Sequence, residues 1–389
     1  MLPARTFRIP GVLVTGSGSS EQVGAEIGKL NVSRGLIVTD RALVKLGALE
    51  GIHRSLQQSN ISGITFEGVF AEPTLDFVRE GLAAYRDNDC DFLIAFGGGS
   101  AIDTAKAISV MTANPGTIAD YKGTGQIPKK GAPVVAVPTT AGTGSEVTPF
   151  TIITDTETDV KMLIGSPFLM PDVAIVDPLL TLSMPPGLTA ATGLDALTHA
   201  IEAYVSIKAQ PMTDIFCLSA IELISGNLKQ AWADGSNVPA REKTMLGALQ
   251  AGIAFGNSSV ALVHGMARPI GAYFHVPHGA SNAAILSEVM AFSLSGNPTR
   301  YAHIAAAMGE ATGGLSDTEA AELGVAAVRR LIEEIEVPSL RQLGIDKARL
   351  EELAPRMAED ALASGSPGNN PRPATRDEIV ALYRSAYGR

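Results

Sequence analysis

Cysteine is scarce in this chain. Its two cysteines in 389 residues, Cys90 and Cys217, follow no zinc or redox spacing and are too few for a disulfide framework. They read as reduced, partly buried thiols of a protein kept in a reducing compartment. Clustered positive charge is also missing. No Lys/Arg run exceeds a pair and the formal net charge is −10, which excludes a nucleic-acid partner, because phosphate backbones need a basic footprint. The pair Arg329 and Arg330 shares its helix with Glu333 and Glu334, as a solvated face does. No apolar run approaches the ~18 residues of a membrane span. The first residues place basic before apolar side chains, but Pro10 and Gly11 interrupt the run and no A-x-A pattern follows. A secretory signal is therefore not expected, and a cytoplasmic location is. Internal repeats and low-complexity tracts are absent too.

What is present is the composition of a well-buried globular enzyme, 46% hydrophobic and 18% charged, in a chain longer than one core usually supports. Strands are expected at Gly35–Thr39, Phe92–Phe96, Pro133–Val137 and Val173–Val176, with amphipathic segments at Glu72–Arg86 and Ala101–Met111 between them. That alternation predicts a parallel sheet covered on both faces. Val147–Thr154 and Val160–Ile164, around the turn Asp155-Thr156-Glu157-Thr158, look like a hairpin added to that sheet. Phe7–Thr15 reads as a strand in need of a partner, one that a second copy of the chain would supply. After Met184-Pro185-Pro186 the period becomes helical almost throughout, which divides the chain into domains 1–184 and 185–389. Near the end, Thr375 and Glu378 form a capping box for a last helix. The expected fold is an α/β dinucleotide-binding domain with a Rossmann-like parallel sheet, followed by an all-α domain.

The strand Phe92–Phe96 runs directly into Gly97-Gly98-Gly99-Ser100 and a helix. Glycine lets a backbone approach a pyrophosphate closely, and the helix N-terminus adds a favourable dipole. A tight strand-to-helix turn would use the same glycines. A second polar loop, Pro138 to Glu146, also follows a strand and offers hydroxyls and amides to the same crevice. Asp40 ends the strand GLIVTD, where a carboxylate can accept from an adenosine ribose and repel a 2′-phosphate. It can equally cap the following helix, and the two roles are compatible.

The most telling positions are Asp195, His199, His264 and His278. Asp195 and His199 are four apart in a helical stretch, so both project from one face. His264 and His278 lie in the apolar segment ALVHGMARPIGAYFHVPHG, where imidazoles have little use unless something binds them. One carboxylate and three imidazoles suit divalent iron or zinc. A hydrogen-bonded core histidine is the plainer alternative for each taken singly.

GGGSAIDTAK, PTTAGTGSEVT, the D-x3-H helix and the H-x13-H pair ending in PHG, taken in this order, resemble the iron-containing (group III) alcohol dehydrogenases. The resemblance covers essentially the whole chain. It implies a dinucleotide-binding domain and a helical metal domain with the site in the cleft between them. It further implies NAD and a divalent metal, iron rather than zinc, as cofactors, and a homodimer or higher homo-oligomer. The substrate class implied is a small primary alcohol, diol or aldehyde. Carried over by residue, Asp195, His199, His264 and His278 are the metal ligands at the reacting centre. Gly97, Gly98, Gly99, Ser100 and Asp103 meet the pyrophosphate; Thr139, Thr140, Thr143 and Lys161 line the cofactor cleft; Asp40 selects NAD. Many members carry a further histidine where this chain has Arg268. Arg268 is either a structural ion-pairing residue or a contact for an anionic substrate tail. Phe150 and Phe255 are the other candidate substrate contacts, and His275 reads as lining or packing. Two alternatives share the glycine loop: a sugar-phosphate cyclase of the dehydroquinate synthase-like group with NAD as bound redox relay, and a glycerol dehydrogenase-like enzyme. A cyclase would want converging Lys/Arg, and glycerol dehydrogenases usually show one Asp and two His ligands.

Overall fold

The computed structural model describes residues 4–157 and 160–388. These divide into two compact units, one within Arg8–Ser183 and the other of residues 184–388 with residues 4–7. Thr158, in the expected hairpin turn, lies outside the described residues.

The first unit contains strands β1 (Val12–Thr15), β2 (Arg34–Val38), β3 (Ser62–Phe66), β4 (Phe92–Gly97), β5 (Gly123–Thr124), β6 (Val134–Pro138), β7 (Phe150–Asp155), β8 (Val160–Gly165) and β9 (Val173–Val176). Its helices are α1 (Val23–Gly28), α2 (Arg41–Lys45), α3 (Glu50–Gln58), α4 (Leu75–Asp87) and α5 (Gly99–Met111). Six strands make an all-parallel sheet in the order β1-β9-β6-β4-β2-β3. The near-continuous apolar runs of β4, β6 and β9 follow from burial on both faces. Side chains alternate between two cores. Leu36, Val38, Leu93 and Ala95 meet Ile102 and Ile108 of α5, whereas Ile37, Ile94 and Phe96 meet Ile52 and Leu56 of α3.

Two expectations need correction. The pair β7–β8 is antiparallel as predicted, but it belongs to a separate three-stranded sheet, β5-β8-β7. Its pattern explains this: Ile153, Met162 and Ile164 are buried in the α5 core, while Ile152, Leu163 and Val160 face solvent. One-sided burial suits a flap laid over a helix and not an interior strand. The N-terminal strand is also shorter than predicted. Only Val12–Thr15 is extended in a ladder, and its partner is β9 of the same chain. Phe7 instead stacks on Phe216, with ring centroids 5.9 Å apart, in the helical unit. The edge strand β3 was not anticipated, because SGITF is half-exposed and has too few apolar residues to announce itself.

The second unit is helical: α6 (Pro186–Val205), α7 (Pro211–Ala233), α8 (Val238–Ser258), α9 (Leu262–Phe274), α10 (His278–Ser293), α11 (Pro298–Ala307), α12 (Asp317–Glu334), α13 (Lys347–Ala363) and α14 (Arg376–Tyr387). The helix α6 is buried on nearly every side from Thr189 to Val205, packed against α7 and α8. Thr375 and Glu378 form the expected capping box at the start of α14. No single described helix is long and apolar enough to cross a membrane; α8 and α9 qualify only as a pair bent by 102°.

Candidate functional site

In the α/β unit the chain after β2 returns over one face of the sheet through α3, and the chain after β4 over the other through α5. Since β2 and β4 are neighbours, their carboxyl ends are the position at which such sheets bind ligands. The glycine loop and Asp40 both lie there. Gly97 has φ +150°, and a Cβ on it would stand 2.9 Å from Ala101 Cβ and 4.0 Å from Asp40 Oδ2. A Cβ on Gly99 would meet Thr143 Cγ2 at 2.8 Å, and one on Gly98 would touch Thr140 at 3.5 Å. Thr139 N donates to Gly97 O at 3.0 Å. The structure thus brings Gly97, Gly98, Gly99, Thr139, Thr140 and Thr143 together, with Ser100 in the first turn of α5. Asp40 caps α2, its Oδ1 accepting from Leu43 N at 2.9 Å.

Other residues expected near the cofactor are held by protein. Asp103 Oδ2 accepts from Ile152 N at 2.8 Å, its Oδ1 accepts from Ser145 Oγ, and its carbonyl accepts from Thr151 Oγ1 at 2.9 Å. Lys161, on β8, pairs with Glu72 at 2.5 Å. The ring of Phe150 lies across the hairpin against Gly165, 3.0 Å from where a Cβ there would be. Behind this sits Lys106, a residue that composition and spacing did not single out. Its fully buried Nζ donates to Ser145 Oγ (2.9 Å), Thr148 O (3.0 Å), Thr148 Oγ1 (3.2 Å) and Phe150 O (2.9 Å). A lysine followed directly by the apolar run Ala107-Ile108, in a helix that is buried almost throughout, was the available signal. Burial pushes its pKa down to about 8, against the pull of Asp103 and Glu146. Burial pushes the Glu146 carboxyl up to about 7 and raises Asp103 as well, with Lys106 opposing both.

In the helical unit, α6, α9 and α10 bring the four polar positions together. Donor atoms of Asp195, His199 and His264 all lie within 4.8 Å of one another, and all three residues are buried. Asp195 Oδ1 is 3.6 Å from His264 Nε2 and 3.7 Å from His278 Nε2. His278, at the start of α10, is 39% exposed and marks the accessible side. His199 is stacked between Phe255 (4.2 Å between centroids) and His264 (4.5 Å).

Two contributors escaped the sequence reading. Glu202, one turn beyond His199 on α6, receives Val263 N at 2.5 Å and His264 Nδ1 at 2.6 Å. A carboxylate only accepts, so Nδ1 donates to Glu202, and Nε2, which faces Asp195, is the nitrogen left to bind a cation once its own proton is displaced. Asn282, one turn after His278, donates Nδ2 to Asp195 Oδ1 at 2.6 Å and lies 3.2 Å from both His264 Nε2 and His278 Nε2. Their spacing along α6 and α10 was the visible clue. Burial works against charge on His264, yet Glu202 and Asp195 outweigh it and raise its pKa to about 9. Burial likewise opposes ionisation of Asp195, but His199, His278 and His264 hold it well below the usual carboxylate range. Two buried carboxylates facing imidazoles fit a divalent cation with mixed O/N ligands, and Glu202 is the outer carboxylate that orients such a histidine. Arg268, one turn after His264 on α9, donates Nη1 to Ser366 Oγ at 3.0 Å.

The chain and its fold match known proteins over nearly the whole length. Residues 10–178 match the family described as iron-containing alcohol dehydrogenase, and residues 189–387 match its C-terminal counterpart. The 1,3-propanediol dehydrogenase of Klebsiella pneumoniae is 42% identical over 384 residues, 98% of either chain. The NAD-dependent methanol dehydrogenase of Bacillus methanolicus is 39% identical over 381 residues, 98% of this chain and 99% of that one. Among solved structures, a 1,3-propanediol oxidoreductase superposes with TM-score 0.96 at 42% identity, covering 99% of this chain and 100% of the other. The chain belongs to the iron-containing alcohol dehydrogenase family. It is an oxidoreductase of the NAD- and metal-using kind, and the cyclase and glycerol dehydrogenase alternatives are not favoured.

Proposed function

We propose that the chain is a metal-dependent, NAD(H)-linked alcohol dehydrogenase or aldehyde reductase for a small primary alcohol, diol or aldehyde. The observation that carries this reading is the convergence of Asp195, His199 and His264 donor atoms with Glu202 fixing the His264 tautomer. In it, residues 1–184 bind the dinucleotide and 185–389 bind the metal. Asp195, His199, His264 and His278 hold the cation, iron rather than zinc. Gly97, Gly98, Gly99 and Ser100 cradle the pyrophosphate, Thr139, Thr140 and Thr143 flank it, and Asp40 takes the ribose hydroxyls. Asp103 acts by holding the Ser145 hydroxyl and the Ile152 amide in place. When bound, the cation supplies Lewis-acid polarisation of the substrate oxygen and NAD supplies the hydride acceptor.

The chain's own contribution is to prepare these sites. Asp195 offsets cationic charge, Glu202 engages His264 Nδ1 and so presents Nε2 to the cation, and the Phe255 ring over His199 excludes water from one flank. The names of the relatives, propanediol and methanol dehydrogenases, support a small substrate. Exposed Ile9 and Val12 beside the open edge of β1 support a homodimer or larger homo-oligomer, and two free buried thiols support a cytoplasmic setting. The test is metal analysis of the purified protein together with NADH oxidation by a panel of small aldehydes. We expect bound metal and chelator-sensitive turnover. Full activity in metal-free protein with chelator present would overturn the reading.

A further inference from the structure

Arg268 is a partly buried guanidinium without a carboxylate of its own. Among the described residues no acidic oxygen forms an ion pair with it, and its one hydrogen-bond partner is Ser366 Oγ, 3.0 Å from Nη1. The nearest acidic influence is Glu202, whose two oxygens are already taken by Val263 N and His264 Nδ1. Guanidinium carries five N–H donors, so most of its donor capacity is unmet by protein. Removing such a cation from water without a counter-ion is costly, and burial accordingly disfavours its charged form. Ser366 is buried, and because its oxygen accepts from Arg268, its own hydrogen remains to donate. Together the two side chains present several donors and no acceptor charge, the composition of an oxyanion receptor.

Placement defines what the receptor would read. His264 and Arg268 are one turn apart on α9 and share a face, which puts their Cβ atoms about 5–6 Å apart. An anion on Arg268 is therefore only a few bonds from an oxygen held at the histidine cluster. We propose that the preferred substrate is a short aldehyde or alcohol bearing an anionic oxyacid group, carboxylate in the simplest case, and that Arg268 with Ser366 is the residue pair that selects it. This rests on the dehydrogenase reading above and adds the substrate class to it.

The test compares the metal-loaded enzyme with NADH on size-matched pairs, glyoxylate against acetaldehyde and succinic semialdehyde against butanal. We expect kcat/KM to favour the anionic member of at least one pair by tenfold or more. In Arg268→Gln that ratio should fall at least tenfold, mainly through KM, and Arg268→Lys and Ser366→Ala should give intermediate losses. As a readout independent of turnover, acetate or succinate should raise the Tm of the parent with NAD bound and leave that of Arg268→Gln unmoved. A ratio and a Tm response that are the same in parent and Arg268→Gln overturn the proposal and leave Arg268 as packing. If the parent reduces none of the four aldehydes, the dehydrogenase reading fails, and the Tm response then decides the anion site alone. Should Arg268→Gln not fold, the Ser366→Ala and Arg268→Lys ratios decide, parental values in both overturning it.

Discussion

The two halves of this protein prepare for their ligands in opposite ways. In the helical unit the site consists of side chains that are expensive to bury: Asp195, Glu202 and three imidazoles, held against one another on three helices. In the α/β unit it consists largely of side chains that are missing, with Gly97, Gly98 and Gly99 letting Thr140 and Thr143 press onto backbone. The first concentrates charge, as the proposed cation site requires; the second clears space and offers amides, as the proposed pyrophosphate site requires. A single substitution should therefore remove chemistry from one and add bulk to the other.

The largest effect is expected at the imidazoles. His264→Ala should lower metal retention by more than the factor of about 10–100 typical of an outer-shell partner, whereas Glu202→Gln should fall within that range. Metal content after competition with a graded chelator measures both. Parental retention in Glu202→Gln would reduce Glu202 to a cap for Val263. On the other side of the comparison, Gly97→Ala forces a side chain into φ +150° and onto Ala101 Cβ, at a cost of about 1–3 kcal/mol. NAD affinity by titration calorimetry should drop about tenfold or more, with metal content unchanged. Equal metal loss in this variant would blur the division between the two sites.

Charge is not wholly absent from the α/β unit, and Glu146 sharpens the contrast. Its folded pKa, about 7, stands above the ordinary 4.5 because of burial, so the folded chain holds a proton there that the unfolded chain has released. The stability this contributes is complete below about pH 4.5 and is lost as pH rises through about 7. Glu146→Gln should accordingly gain on the order of 1–3 kcal/mol at high pH and nothing in acid. Urea midpoints near pH 8 and pH 4 would show it, and a gain independent of pH would refute the assignment. The smallest effect concerns Asp40→Gly. The cap on α2 should cost only a few tenths of a kcal/mol, since glycine is itself a tolerable cap. NADP use, read from kcat/KM for the two cofactors, should rise, and an unmoved preference would leave Asp40 as a cap alone.

Legibility in the sequence followed the same division. The strand–glycine–helix unit and the i, i+4 Asp–His pair repeat over short distances, so pattern alone reveals them. Interior strands were visible because burial on both faces demands unbroken apolar runs; β3, on an edge, lacked them. What escaped were partners defined only by packing. Glu202 and Asn282 are ordinary helix residues until α9 and α10 are folded against α6. Lys106 looked like the end of a motif, and only the packing of Ser145 to Phe150 against α5 discloses its four acceptors. The hairpin's sheet was misassigned because antiparallel pairing is a local property and sheet membership is not.

That lysine sets a rule for anyone transplanting the β7–β8 flap between relatives to change specificity. The incoming segment must start at position 145, ahead of β7, because the Ser145 hydroxyl and the Thr148 carbonyl, with the Phe150 carbonyl, are what Nζ binds. A graft that starts at Phe150 sets a foreign strand against acceptors that precede it and puts the alignment of all of them on the ammonium group at risk. Lys106 and the flap are best exchanged as a single cassette.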